Sequence, residues 1–283
     1  EGHIDRVYCV CFYPDENKLV SGSRDGTLRI WDRKTGAEKV LSGHTDWVVD
    51  IDVSQDGKMV VSGSADETVR IWNGESGEMM RVFKDHEEYV RSVQFSANSG
   101  RVVSGSNDGT VRVWSVETGE QAFKPINCDG WVNCVRYSPS GDRIASGADS
   151  VQIWDTYTGN GIISIRNSSV TSLVWTDDGT RVLGDGGGNI TIWNSHNGER
   201  LRTWKAHGNT GHVATLSLSP SGAHLATSNW GNSTAFVFDI STGKQLAAFE
   251  HGQNNKGISY SPGGSFIATG CDDNKVYVWE APT

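Results

Sequence analysis

Proline is scarce in this sequence, 6 of 283 residues, so the Pro-rich linkers that separate many domains are missing. No run of 18 or more apolar residues occurs, which excludes a membrane-spanning helix, and no charged-then-apolar leader opens the chain. Positive charge is short as well: 25 basic against 34 acidic side chains give a net charge of -9. General nucleic-acid binding by phosphate neutralisation is therefore disfavoured. The five cysteines (Cys9, Cys11, Cys128, Cys134, Cys271) form no CxxC pair and lack the density of a disulfide scaffold. They read as small buried residues in a reducing compartment, and a cytoplasmic location is expected. The chain opens at Glu1 without a methionine, so a fragment of a longer protein is expected.

What is present in excess is glycine, 34 residues, and tryptophan, 11 residues in a chain only 36% hydrophobic. The tryptophans have a phase. Trp31-Asp32, Trp72-Asn73, Trp114-Ser115, Trp154-Asp155, Trp193-Asn194, Phe238-Asp239 and Trp279-Glu280 each end an alternating apolar run, 39 to 45 residues apart. Upstream of each anchor lies a Gly-rich strand and a polar turn, as in Ser21-Gly-Ser-Arg-Asp-Gly-Thr-Leu-Arg-Ile-Trp31 and Ser104-Gly-Ser-Asn-Asp-Gly-Thr-Val-Arg-Val-Trp114. Further upstream sit His3, His44, His86, His207 or His212, and His251. Self-similarity at this period marks a repeat architecture.

The pattern resembles the WD40-repeat (tryptophan-aspartate repeat) β-propeller family, with seven repeats covering the whole chain. The resemblance implies an all-β, seven-bladed propeller of four-stranded antiparallel blades, closed around a channel. Residues 1–283 then form a single domain, although roughly 150 residues per domain would suggest about two. Gly2-His3 leaves little chain upstream to supply an outer strand for the last blade, so that blade is expected either to lack it or to receive it from an upstream segment removed from this chain. The upstream segment is the favoured reading.

In the family a His, a Ser or Thr, an Asp and the anchor Trp form a hydrogen-bonded chain within a blade. The matching residues are His3, Ser21, Asp25 and Trp31; His44, Ser62, Asp66 and Trp72; His86, Ser104, Asp108 and Trp114; and His251, Thr269, Asp273 and Trp279. A buried indole N–H needs an acceptor, a hydroxyl can accept and donate, and a carboxylate can close the series. A recurring constellation is structural, whereas a nucleophilic triad is a single exposed site. No catalytic residue, metal site or cofactor is therefore expected. The acidic turns around Asp56, Asp178 and Asp273 lack the alternating ligands of a calcium loop and read as hairpins. Units four to six depart from the pattern. Asn127-Cys128 replaces Gly-His, Leu183 and Gly187 stand at the Ser and Asp positions of unit five, and Phe238 and Asn232 replace Trp and Asp in unit six. Those blades are expected to be the more mobile arc, or else their loops have specialised for a ligand.

Partners of this family most often dock on the face where inner-strand entry loops and tetrad turns surround the channel. Carried over by position, that face holds Arg6, Tyr8, Arg24, Trp47, Tyr89, Arg91 and Trp131, with Trp230 in the lengthened turn of unit six. Lys256 and Asp272 fill the corresponding places in unit seven. Trp, Tyr and Arg dominate interface hot spots, and guanidinium groups suit carboxylates or phosphate. The expected function is a non-enzymatic protein–protein interaction scaffold, binding an acidic peptide or protein surface. The arrays also resemble those attached to signalling NTPases of the innate-immunity type, where a propeller is the sensor, although no GxxxxGK[ST] loop occurs here. The alternative is a glycan or small-ligand receptor with Trp47, Trp131 and Trp230 as stacking platforms. Asn167, Asn189 and Asn232 head glycosylation-type triplets and read as ordinary loop and strand residues.

Overall fold

In the computed structural model, which describes residues 2–166, 169–208 and 214–282, the repeats become seven antiparallel sheets, six of four strands and one of three. Blade one shows the pattern: Val7–Phe12, Lys18–Ser23, Thr27–Asp32 and Glu38–Ser42 pair in sequence order. Short turns force that order. Gly26 adopts a φ of 77° and donates its N–H to Ser23, while Asp25 accepts the Thr27 N–H at 2.9 Å. Gly26 adopts this positive φ without strain, whereas the same turn position in blade two is held by Glu67 at 68°.

The seven first strands line the channel: Val7–Phe12, Val48–Val53, Val90–Phe95, Cys134–Tyr137, Ser172–Trp175, Ala214–Leu218 and Asn255–Tyr260. Side chains bridge these strands. Asp50 accepts the Val93 N–H at 3.0 Å, Asp52 that of Phe95 at 2.9 Å, and Gln94 that of Tyr137 at 2.8 Å. Ser172 and Ser217 continue the lacing on the far side, accepting from Leu216 and Tyr260. Backbone donors that a neighbouring strand would normally take are thereby paired.

Apolar packing lies between blades rather than inside one. Val20, Leu28 and Ile30 of blade one pack with Val48, Ile51, Val60 and Trp72 of blade two. The repeated Ser-Gly-Ser segment makes room for this. A Cβ on Gly22 would stand 2.5 Å from Val48, and the same contact recurs for Gly63 with Val90, Gly105 with Val132, Gly147 with Val170 and Gly270 with Val7. Cationic side chains also fasten the seams from outside, as where Arg81 donates to the Glu117 carbonyl at 2.8 Å and Arg202 to Thr242 at 3.0 Å.

The seventh sheet has three strands among the described residues, Asn255–Tyr260, Phe266–Cys271 and Val276–Glu280, and Val278 on its outer strand is 41% exposed. The ring nonetheless closes by face packing. Val7, Val10, Phe12 and Leu19 bury with Ala268, and the Arg33 guanidinium lies 4.1 Å over the Phe266 ring. Blade three is also curtailed: its outer strand is only Ile126–Asn127, entered through Pro125, which has no N–H for a ladder.

One positional expectation is corrected by register. Trp193 pairs with Val182 as Trp31 pairs with Leu19, so Gly184 and not Leu183 stands where Ser21 does. The turn in Gly184-Asp-Gly-Gly-Gly188 is one residue shorter, which hid the offset.

Candidate partner-binding face

Three blades carry the full hydrogen-bonded chain. In blade two, Trp72 Nε1 donates to Ser62 Oγ at 2.9 Å, Ser62 lies 2.7 Å from His44 Nε2, and His44 Nδ1 lies 2.8 Å from Asp66. Blade one repeats this with Trp31, Ser21, His3 and Asp25, the last two 3.0 Å apart. Blade three repeats it with Trp114, Ser104, His86 and Asp108, the last two 2.7 Å apart. Burial alone would raise the Asp66 carboxyl. Hydrogen bonds from His44, Thr68 and the Thr45 N–H outweigh it and hold Asp66 well below the usual carboxylate range. Burial lowers His44, so a neutral imidazole donating to an ionised Asp66 is the consistent arrangement. The serine hydroxyls are fully buried, which suits a brace and not a nucleophile.

The remaining blades depart from it. In blade seven His251 reaches Thr269 at 2.8 Å and Trp279 donates to Thr269 at 3.0 Å, but His251 Nδ1 faces the Ser233 carbonyl at 3.0 Å. Asp273 takes the Tyr277 hydroxyl instead, so the expected fourth tetrad is one link short. The cause is Tyr277, where blades one to three carry Arg29, Arg70 and Arg112. In blade four Cys128 stands 3.7 Å from Ser146, which accepts from Trp154. In blade six His207 meets Thr227 at 2.7 Å, while His212 lies outside the described residues, as does Asn167.

The face around one channel mouth is built by irregular strand entries. The register skips a residue between Val7 and Cys9, between Val48 and Asp50, between Val90 and Ser92, and between Asn255 and Gly257. Such bulges re-aim the extra side chain. Tyr8, Val49, Arg91 and Lys256 are the residues so placed, and Tyr8 and Arg91 line a cavity of about 450 Å³ that includes the channel.

Tyr8 stacks on Trp230 at 5.1 Å and 17° and leans on Trp47 at 5.6 Å. The Arg24 guanidinium lies 4.6 Å over Trp47, and Lys256 Nζ lies 4.7 Å over Trp230. Asp272 stands 3.7 Å from both Arg6 and Lys256, and Asp5 stands 3.9 Å from Arg24. Burial lowers the Lys256 ammonium pKa, with Asp272 opposing. Three cations thus share two carboxylates around an aromatic wall, all at distances longer than a hydrogen bond. Tyr8, expected on the surface, is 5% exposed and acts as the support between two indoles.

Trp131 and Tyr89 are 62% and 40% exposed, with Arg91 lying 5.7 Å over Trp131 and bonded to Asn107. Among the described residues no ring contact joins this patch to the Trp47 cluster, so the aromatic residues placed on this face by position form two patches. Lys256 and Asp272 were legible by position but carried no aromatic or guanidinium signal. Their part depends on Trp230 arriving across the ring.

Among the described residues no group of three or more His, Cys, Asp or Glu is placed to hold a metal ion. The carboxylates of the acidic turns bind their own turns: Asp56 accepts from Ser54 and Lys58, and Asp178 from Thr176 and Thr180. Asn232 accepts the Thr234 N–H, and Asn189 opens a strand.

Two family models match this chain: IFT122 first beta-propeller over residues 73–283, and WD domain, G-beta repeat over residues 1–32 and 37–73. Cell division cycle 20.1, cofactor of APC complex, of Arabidopsis thaliana is 25% identical over 46% of the chain and 29% of its own length. The p21-activated protein kinase-interacting protein 1-like of Gallus gallus is 31% identical over 48% of the chain and 36% of its own length. Protein groucho of Drosophila melanogaster is 30% identical over 33% of the chain and 12% of its own length. The chain therefore covers well under half of each of these relatives.

Proposed function

We propose, from the premise that the chain belongs to the WD40-repeat β-propeller family, that it binds an acidic peptide or protein surface at the Trp47–Tyr8–Trp230 mouth of its channel. The family acts generally as a non-catalytic interaction scaffold, and this chain is read the same way, without a reaction of its own. One observation carries the choice of mouth. Arg6, Arg24 and Lys256 are held against aromatic rings or a shared carboxylate, and among the described residues Asp5 and Asp272 are the carboxylates that face them. A stacked guanidinium still presents its N–H edge, which suits a partner's carboxylate.

The likeness to a complex cofactor and to a kinase-interacting protein favours a recognition part of a larger signalling protein, which we place in the cytoplasm. The glycan alternative has less support. One face of Trp47 and one of Trp230 are taken by Arg24 and Lys256, and Arg91 lies over Trp131, whose 62% exposure makes it the most open of the three. Affinity capture from native cell extract, run with wild type beside Trp47→Ala and Arg24→Ala, tests the reading. A partner retained by wild type and lost from both variants is expected; equal recovery by all three would place binding elsewhere.

A further inference from the structure

The Tyr89–Trp131 patch differs from the Trp47 mouth in the sign of what surrounds it. Both of its rings are open to solvent, whereas Trp47 and Trp230 each touch Tyr8 and a cation. The two rings belong to consecutive blades, and one residue ties their backbones together. Ser106 donates its hydroxyl to the Glu88 carbonyl at 2.9 Å, just before Tyr89, and accepts the Val132 N–H at 3.0 Å, just after Trp131. The Asn107 N–H then donates to the Tyr89 carbonyl at 2.9 Å. Two strand entries and one turn thus form a fixed base under a pair of exposed aromatic side chains.

Four exposed carboxylates border these rings: Glu87 and Glu88 before Tyr89, Asp129 before Trp131, and Asp149 from the next turn. Asp149 Oδ2 lies 2.9 Å from where a Cβ on Gly130 would stand, so the bare Gly130 lets that carboxylate reach the Trp131 entry. Among the described residues none of the four has a side-chain hydrogen bond or an ion pair. Asp149 is released by the loss of a histidine. The turn aspartates of blades one to three are held by His3, His44 and His86, but Cys128 takes that place in blade four and engages Ser146 instead. Among the described residues the cation over these rings is Arg91, which lies 5.7 Å from the Trp131 centroid and donates to the neutral Asn107. It therefore neutralises none of the carboxylates by contact. Such a field repels anions and draws cations, and an open aromatic face adds to the attraction for ammonium or guanidinium.

We propose that the Tyr89–Trp131 patch is a second docking surface, for a basic segment of a partner protein. Lys or Arg side chains of that segment meet the carboxylates and lie against the two rings. Position alone groups Trp131 with the cationic mouth; its carboxylate neighbours give it the opposite preference. The surface goes beyond the acidic-partner reading of the Trp47 mouth and does not depend on it.

The test titrates an acetylated, amidated hexapeptide of alternating Lys and Arg into the ¹⁵N-labelled chain at low salt, with one of alternating Glu and Asp as control. The Trp131 and Trp47 indole signals are followed. A saturable shift at Trp131 is expected from the basic peptide and none from the acidic one. Asp129→Asn with Asp149→Asn weakens the basic peptide by about fivefold or more. Glu75→Gln with Glu78→Gln, an equal loss of charge at exposed positions of blade two, changes it by less than about twofold. Arg91→Ala removes a like charge and uncovers the indole, so the basic peptide binds about two- to threefold tighter. No saturable shift at Trp131, a saturable Trp131 shift from the acidic peptide, equal weakening by the two carboxylate pairs, or weaker binding after Arg91→Ala overturns the proposal. Trp47→Ala and Arg24→Ala leave the basic peptide's affinity unchanged; a parallel loss in them would also overturn it. The reading of the Trp47 mouth falls by a different result, unchanged partner capture by those two variants.

Discussion

Replacing Ser62 by alanine measures what the tetrads contribute. Its hydroxyl accepts from Trp72 Nε1 at 2.9 Å and lies 2.7 Å from His44 Nε2, with Ser62 and Trp72 only 0% and 1% exposed. Ser62→Ala leaves a buried N–H and a buried ring nitrogen unpaired, at about 1–3 kcal/mol each, and water has no access to replace the hydroxyl. The expected loss is about 3 kcal/mol. For a domain of this size, at about 2–4 °C per kcal/mol, Tm falls by roughly 6–12 °C. Thr269→Ala in blade seven removes the same hydroxyl from Trp279 and His251, but that indole is half-buried and its chain already lacks the Asp273 link. A loss of only about 1 kcal/mol is expected there. Differential scanning calorimetry, checked by the near-ultraviolet tryptophan signal, gives both values. A cost below about 1 kcal/mol for Ser62→Ala, or a larger cost for Thr269→Ala than for Ser62→Ala, would contradict a bracing role for the hydroxyl.

Other expectations follow from the same geometry. Asp185 is 1% exposed and its carboxyl is pushed up to about 7 by burial, so its ionisation destabilises the fold as pH rises from about 4 towards 7. Asp185→Asn should therefore raise Tm at pH 7.5 and change it little at pH 4; a loss at pH 7.5 would contradict this. Asp108 behaves oppositely: hydrogen bonds from His86 and Thr110 outweigh burial and hold it low, so its contribution is full above about pH 4 and fades on acidification. Asp108→Asn should flatten the urea-melt midpoint below pH 4, and an unchanged acid limb would refute that role. Blades four to six lack complete tetrads, so their strand amides should exchange with deuterium faster than those of blades one to three; uniform protection would count against the brace. Arg24→Ala should weaken the captured partner by roughly tenfold or more and reduce its salt dependence, while leaving Tm within about 2 °C; an unaltered salt slope would remove Arg24 from the contact.

The ring was legible because its cause is periodic. A glycine that must admit a neighbouring valine, a hydroxyl that must accept an indole N–H and a turn that needs positive φ recur at fixed offsets, so Ser21, Ser62 and Ser104 could be placed from spacing. Where an offset changed, spacing misled: the shortened glycine turn moved the serine slot from Leu183 to Gly184. Asp273 failed differently, since its position was right and the competing hydroxyl of Tyr277, four residues on, decided its partner. The mouth was legible only in part. Trp47 and Arg24 could be assigned by position, but Tyr8 is buried because Trp230 stacks on it from blade six, across the closure of the ring. No local spacing encodes that meeting, and the same non-local contact brought Lys256 and Asp272 into the site.

Partners are expected to bind at the Trp47–Tyr8–Trp230 mouth. Hydrogen exchange of the chain with and without its captured partner tests it most directly. Protection is expected to be confined to the entries near Trp47 and Lys256, the turn from Asn229 to Asn232, and the Arg24 and Asp272 turns. Protection at the opposite mouth, around Pro14, Pro220 and Pro262, or along the outer strands, would contradict it.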